Sequence, residues 1–178
     1  MEHRPSFGNL RKVPSVLKIS DYDGRGVLAF DLRHLLPLVA NEAADLSWYV
    51  IPAGETTWFL GQLTALKTVD EFSKQVEASE NGVQLTHREI LELAESINQT
   101  VWGTFVGVRQ ETKLPALLDM FSDDCRYVDR AAPRFYEVVE IGLQAVDSSY
   151  WLIYVRDAEL MERIRATFDD VEVIEVGE

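Results

Sequence analysis

The stretch FYEVVEIGLQAVDSSYWLIYVRD (135–157) decides the fold class of this 178-residue chain. Two apolar runs, 135–146 and 150–155, have the β-branched and aromatic composition that is typical of strands. The triplet Asp147–Ser149 lies between them, and Asp and Ser are favoured in turns because their short side chains bond to local backbone. The stretch therefore predicts two antiparallel strands joined by a tight turn, with no catalytic role for the serines.

The second of these strands is expected to lie inside the sheet. Alternate side chains of a strand point to opposite faces, here Tyr150, Leu152 and Tyr154 on one and Trp151, Ile153 and Val155 on the other. Both sets are large and mainly apolar, so both faces of the strand need a cover. The pattern predicts a central strand covered on both sides.

Further strand pairs are expected nearer the N-terminus. Runs at 16–20 and 27–30 flank Asp23-Gly24, a dipeptide typical of hairpin turns because glycine accepts a positive φ without strain. Runs at 46–51 and 56–63 lie close enough in sequence to form a second hairpin. A helical pattern is expected over Leu32–Val39, where Pro37 predicts either a kink or a short helix.

Two Thr-x-x-Glu spacings, at Thr68 and Thr86, predict capping boxes that begin helices. Asp157 is expected to cap a later helix, before a last strand at 171–176. Helices are interspersed among strand pairs without strict alternation, which favours an α+β fold.

We therefore predict a single α+β domain at 16–178, after a flexible N-terminal arm at 1–15 that contains Pro5, Gly8 and Pro14. The domain is expected to hold a mixed, mainly antiparallel sheet of about six to eight strands, flanked by about three to five helices. A β-β-α-β unit is expected at its C-terminal end.

The charge of the chain is strongly acidic, at −13 from 30 acidic and 17 basic residues. That field opposes binding to nucleic acid and to anionic membrane surfaces, because both need neutralising Lys and Arg. It leaves two explanations open: solubility, or a docking surface for a basic macromolecular partner.

The sequence predicts a cytoplasmic protein. It contains no apolar run of about 18 residues, as a membrane-spanning helix requires, and no apolar core of a secretory signal near Met1. Its single cysteine, Cys125, cannot form an internal disulfide, which favours a reducing compartment.

Catalytic and metal-binding patterns are weak, so the sequence leans against an enzyme and predicts no cofactor and no metal. Cys125 is surrounded by aspartates that disfavour its thiolate. The histidines His3, His34 and His87 show no zinc-binding spacing, although His34 is left open as a general base.

Two sets of residues are candidate sites. Four carboxylates, Asp119, Asp123, Asp124 and Asp129, form either a solvated acidic loop or a partner-binding edge. Three aromatic residues, Trp102, Tyr150 and Tyr154, either fill the core or line a ligand pocket over the sheet.

The first functional hypothesis is a non-enzymatic interaction protein, comparable to an inhibitor or immunity protein, that binds a basic protein through its acidic surface. The alternative is a small-molecule-binding domain or small enzyme with the aromatic pocket. A homo-oligomer is compatible with both.

Overall fold

The structure is a computed structural model, and it describes residues 13–52, 57–61, 69–79, 81–110, 117–121 and 127–176. Eight strands in this part of the chain form one sheet: β1 (Ser15–Ile19), β2 (Leu46–Ile51), β3 (Trp58–Gly61), β4 (Val83–Leu85), β5 (Ile97–Arg109), β6 (Val139–Val146), β7 (Tyr150–Val155) and β8 (Val171–Glu175).

The strands lie in the order β4-β2-β5-β6-β7-β1-β8, and β3 also pairs with β5. Each pairing is antiparallel. The aromatic strand β7 lies between β6 and β1, and five of its six residues are buried. The predicted central position of this strand, covered on both sides, is confirmed.

Helical segments connect the strands: α1 (Leu32–Leu35), α2 (Ala40–Ala43), α3 (Val69–Glu77), α4 (His87–Ser96), α5 (Pro133–Val138) and α6 (Ala158–Arg165). A 3₁₀ turn at Leu36–Val39 contains Pro37 and separates α1 from α2. The chain closes as β6-β7-α6-β8. These elements confirm the predicted α+β fold with its C-terminal β-β-α-β unit.

One face of the sheet, which we call the helix face, packs against α1 to α4 and α6. Its largest fully buried side chains include Trp48, Phe105 and Trp151. Phe105 and Trp151 stack with their ring centroids 6.3 Å apart. Helix α4 adds Ile90 and Leu93, which lie on one side of the helix at a spacing of three residues.

The opposite face, which we call the α5 face, is covered by α5 and two 3₁₀ turns at Leu117–Met120 and Val128–Arg130. Phe135 of α5 packs over Gly142 of β6, where an added Cβ would approach the Phe135 ring to 3.3 Å. The absence of a side chain at Gly142 therefore makes room for the helix.

The prediction of one strand over 135–146 is wrong in its first four residues, which belong to α5. Pro133 occupies the first turn of this helix, where a missing N–H costs nothing. The helix buries Phe135 and Tyr136 together, whereas a strand would send these neighbours to opposite faces.

The prediction of a hairpin between 46–51 and 56–63 is also wrong. Strand β5 has 13 residues, and one of its edges pairs with β2 at Thr104–Arg109 and with β3 at Ile97–Trp102. Two short strands thus lie end to end along one long strand. Strands β2 and β3 therefore both pair with β5 and not with each other.

The predicted strand at 27–30 is reduced to a single bridge between Tyr22 and Leu28. The turn that precedes it bonds Gly26 N–H to the Asp23 carbonyl at 2.9 Å, and Gly26, not Gly24, takes the positive φ of 77°. The chain then continues as a loop to the buried Phe30.

The triplet Asp147–Ser149 forms the predicted turn between β6 and β7. Ser149 N–H donates to the Val146 carbonyl at 2.8 Å, while Asp147 and Ser148 have φ values of 50° and 53°. Left-handed backbone is unfavourable for residues other than glycine, although Asp tolerates it better than most. The turn is therefore specified by its strands and by a further hydrogen bond from Ser148 N–H to the Val101 carbonyl.

A buried carboxylate, Asp31, connects α1 to β5. It caps α1 by accepting the Leu32 N–H at 2.6 Å, and it accepts both the N–H and the hydroxyl of Thr100, at 2.7 and 2.8 Å. Its own N–H donates to Nδ1 of His34, which completes a capping box and gives this histidine a structural role.

The structure describes the predicted capping boxes and the predicted N-terminal arm only in part. Thr86 and Glu89 form the predicted capping box, and Thr68 lies outside the described residues. Most of the predicted arm at 1–15 also lies outside them. Its last residues belong to the sheet: β1 begins at Ser15, and the Pro14 carbonyl accepts the Val176 N–H at 2.9 Å.

Candidate functional site

A group of aromatic and charged side chains, half-buried except for the exposed Arg130, lies on the α5 face, and we call it the Tyr150 cluster. It consists of Lys18, Trp102, Tyr127, Asp129, Arg130 and Tyr150. The cluster combines one member of the predicted acidic set with two members of the predicted aromatic pocket.

Its strand residues are placed by the register of the sheet. Lys18 pairs with Leu152, and Leu152 pairs with Gln144, so β1, β7 and β6 present one row of side chains on this face. Tyr150 lies two residues before Leu152 and hence on the same face. The Lys18 ammonium lies 5.1 Å from the centroid of the Tyr150 ring, within range of a cation–π contact.

The 3₁₀ turn that carries Asp129 is fixed by a buried amide. Gln144 is fully buried; its Oε1 accepts the Val128 N–H at 2.8 Å, and its Nε2 donates to the Thr104 hydroxyl at 2.8 Å. The position of Asp129 is therefore set by a hydrogen-bond chain that begins inside the sheet.

Aromatic contacts form the other side of the cluster. The rings of Trp102 and Tyr127 have centroids 6.5 Å apart, and the Arg130 guanidinium lies 5.6 Å from the Tyr127 ring. Gly103, which flanks Trp102, leaves no space for a ligand, because a Cβ there would lie 2.8 Å from the Phe59 ring.

Burial perturbs both acidic groups of the cluster. It raises the pKa of the half-buried Asp129 carboxyl, against a smaller lowering by Arg130 and Lys18. Burial also raises the pKa of the Tyr150 phenol, and Tyr127 and Asp129 add to that rise. Among the described residues, no hydrogen-bond donor contacts Oδ1 of Asp129, which is shielded from solvent.

Tyr154, the third residue of the predicted pocket, lies in a different environment. It is buried among Phe135 and Tyr136, and its hydroxyl donates to the Tyr136 carbonyl at 3.1 Å. It also lines a cleft of about 300 Å³ with Arg156 and Met161, and neither Trp102 nor Tyr150 lines that cleft. The three predicted pocket residues therefore share a face but not one cavity.

The predicted acidic set is only partly described. Asp123 and Asp124 lie outside the described residues. Asp119 is exposed at the 3₁₀ turn Leu117–Met120, whereas Asp129 is half-buried in the Tyr150 cluster. The two described members thus differ in exposure and in surroundings.

A second acidic surface lies at the end of the sheet where β1 and β7 meet the start of β8, and we call it the acidic end. It consists of Asp21, Asp23, Asp147, Asp169, Asp170 and Glu172. Asp21 accepts the N–H groups of Asp169 and Asp170, at 3.0 and 2.5 Å, and Ser20 N–H donates to the Asp170 carbonyl.

Tyr22 lies within this acidic end. Its hydroxyl donates to the Ser149 carbonyl at 2.5 Å, so the β6–β7 turn and the segment after β1 are in contact. The residue is nevertheless 49% exposed, and its neighbour Val27 is 48% exposed. The acidic end therefore includes an accessible, anchored aromatic ring.

Cations offset the acidic end only in part. Lys18 bonds Glu172 at 3.1 Å, which raises the pKa of the lysine, and Arg25 pairs with Asp23 at 2.8 Å, which lowers the pKa of that carboxyl. The carboxylates of Asp147, Asp169 and Asp170 are exposed. This surface was not predicted from the sequence, although Asp169 and Asp170 directly precede one predicted strand and Asp21 directly follows another.

Comparison with known proteins identifies no relative of this chain. No family model, no curated protein and no solved structure matches this chain. Its function must therefore be argued from the two surfaces described above.

Two further observations concern metal binding and membrane-spanning helices. In the described residues, no group of three or more His, Cys, Asp or Glu side chains is arranged to hold a metal ion. None of the described helices is long and apolar enough to cross a membrane.

Proposed function

We propose that this chain is a non-enzymatic interaction protein, of the inhibitor or immunity type, that binds a basic protein partner through the acidic end. The observation that carries the proposal is the combination of six carboxylates with the exposed ring of Tyr22 on one surface. The proposal includes a cytoplasmic location, which the single cysteine supports.

The charges of the acidic end support fast and selective association. Carboxylates that are held apart from cations attract a basic partner over a distance of about 10 Å at moderate salt. Such complementarity contributes mainly to the association rate and to the choice of partner. A protein with this surface would discriminate against acidic and nucleic acid partners.

Tyr22 supports the affinity of the same interface. Tyrosine is enriched among the few residues that dominate binding energy, because its ring buries a large area and its hydroxyl bonds at the rim. Here the hydroxyl is already bound to the Ser149 carbonyl, which holds the side chain in place. A ring that is ordered before binding loses little entropy in the complex.

The proposal predicts that neutralising the exposed carboxylates of the acidic end greatly reduces capture of a basic partner. The test compares three baits in a lysate of the organism that makes the protein: the unaltered chain, a triple variant with Asp147→Asn, Asp169→Asn and Asp170→Asn, and a control. We expect the triple variant to retain about one tenth of the captured basic protein.

The control has the same net charge but is altered elsewhere, with Asp45→Asn, Glu95→Gln and Glu159→Gln, which replace exposed residues beside β2 and on α4 and α6. It should capture as much as the unaltered chain. Equal losses in both variants, or no basic protein captured even at low salt, would contradict the proposal.

A small-molecule site at the Tyr150 cluster is the second candidate function. The observation that favours it is Asp129, whose shielded Oδ1 has no donor among the described residues. A buried carboxylate without a donor lowers the stability of the protein. Such destabilising groups are typical of binding sites, and this one lies beside Trp102 and Tyr150.

This second candidate predicts that Asp129→Asn stabilises the protein at neutral pH. Burial raises the pKa of Asp129 in the folded state, so the folded protein holds this proton more tightly than the unfolded chain does. Stability is therefore lost as pH rises from the ordinary aspartate pKa, about 3.9, through the raised value.

Urea unfolding at pH 7 should show a gain in the free energy of unfolding of up to about 1 kcal/mol for Asp129→Asn, because the carboxyl is only half-buried. The gain should disappear at about pH 3, where both states are protonated. Asp45→Asn, at an exposed site, is the control. A loss of stability in Asp129→Asn at pH 7 would mean that the carboxylate is well paired.

A further inference from the structure

The outer edge of β8 is an unpaired strand edge next to the acidic end. Within β8, hydrogen bonds to β1 alternate, as shown by Ser20 N–H to the Asp170 carbonyl at one end and Val176 N–H to the Pro14 carbonyl at the other. By this alternation, the N–H and C=O groups of Val171, Val173 and Glu175 point away from β1. No described strand pairs with them.

Charge is the main feature that protects this edge. Edge strands are commonly blunted by charged side chains, by Pro, by a bulge or by shortness. Strand β8 has five residues, among them Glu172 and Glu175, but it contains no Pro, it pairs with β1 in an uninterrupted register, and Val173 is 43% exposed. The opposite edge strand, β4, has only three residues and runs directly into the N-cap of α4.

The charges around the edge select its occupant. Asp169 and Asp170 precede β8, and Glu172 and Glu175 lie within it, all four exposed. An incoming strand would meet carboxylates along its length, and opposite charges across neighbouring strands are favourable. A second copy of this chain would instead bring two acidic edges together.

We propose that β8 takes up an extended, basic segment of the protein partner as an added strand of the sheet. Backbone hydrogen bonds to Val171, Val173 and Glu175 supply affinity in such strand addition, and the flanking carboxylates select Lys or Arg side chains. This inference rests on the proposed function and specifies how the partner docks.

The test measures binding of an acetylated and amidated seven-residue peptide, Lys-Val-Lys-Val-Lys-Val-Lys, to the full chain by isothermal titration calorimetry. The key variant is Val173→Pro, which removes one outward N–H and leaves the charge and the β1 pairing unchanged. Its matched control is Val173→Thr, which keeps the N–H. We expect the affinity of the Val173→Pro variant for the peptide to be about tenfold lower than that of the Val173→Thr variant.

A second peptide covers the case in which Val173→Pro fails to fold. It has the same sequence with alternate amides N-methylated, so that it keeps its charge but loses one row of donors. We expect this peptide to bind the unaltered chain about tenfold more weakly than the parent peptide does.

Equal affinities in both comparisons would overturn strand addition. In that outcome the charge-matched capture comparison would still decide the proposed function on its own. Sedimentation of the unaltered chain at micromolar concentration checks the other occupant: a dimer that Val173→Pro dissociates would show that β8 pairs with a second copy, which would also overturn the inference.

Discussion

Replacing Asp31 with Ala is expected to lower the free energy of unfolding by about 3 kcal/mol, from a lost helix cap and two buried donors left without an acceptor. The carboxylate accepts one bond from Leu32 and two from Thr100, and it is 6% exposed. Urea unfolding followed by tryptophan fluorescence measures the loss.

Asp157 provides the matched control for this prediction. It caps α6 through one hydrogen bond from the Leu160 N–H at 2.9 Å, and it is exposed. Asp157→Ala should therefore cost only about 1 kcal/mol. Equal costs at the two caps would mean that Asp31 does not anchor α1 to β5.

Replacing Phe135 or Tyr136 with Ala is expected to destabilise the protein by about 3 kcal/mol in each case. Both side chains are buried against the α5 face, and Phe135 also contacts the rings of Phe121 and Tyr154. The measurement is again urea unfolding, with Arg134→Ala as a control that should change stability by less than about 0.5 kcal/mol.

The comparison also tests the position of this segment. Both side chains are buried between α5 and the sheet, so a large effect is expected at both positions. A small effect at either one would contradict the position of α5.

The fold from the Asp-Ser-Ser turn onward was predictable because its sequence signals are local. The alternation in β7, the Asp-Ser-Ser turn and the Asp157 cap each depend on residues a few positions apart. Such patterns report the faces of a strand and the ends of a helix without knowledge of the rest of the chain.

The errors arose where tertiary contacts outweigh local preference. The segment 135–138 is rich in aromatic and β-branched residues, yet it forms a helix. In this position the helix buries its aromatic side chains against the apolar residues of the α5 face. Strand β3 pairs with β5 and not with its sequence neighbour β2, because β5 is long enough for both. Apolar runs alone do not specify which strands pair.

The candidate surfaces show the same limit. Asp21, Asp147 and Asp169 are far apart in sequence, and they meet only because β1 lies between β7 and β8. Asp129 and Tyr150 were predicted as members of two separate sites, and the register of the sheet brings them into one cluster. Sequence patterns identified several of these residues, and the topology decided their neighbours.

Amide hydrogen exchange on the complex with the captured partner tests most directly the claim that the acidic end and β8 form the binding surface. We predict that partner binding slows exchange at Val171, Val173 and Glu175, whose amides point outward, and leaves β4 at the opposite edge unchanged. Protection confined to β4 or to the Tyr150 cluster, with β8 unaffected, would contradict the account.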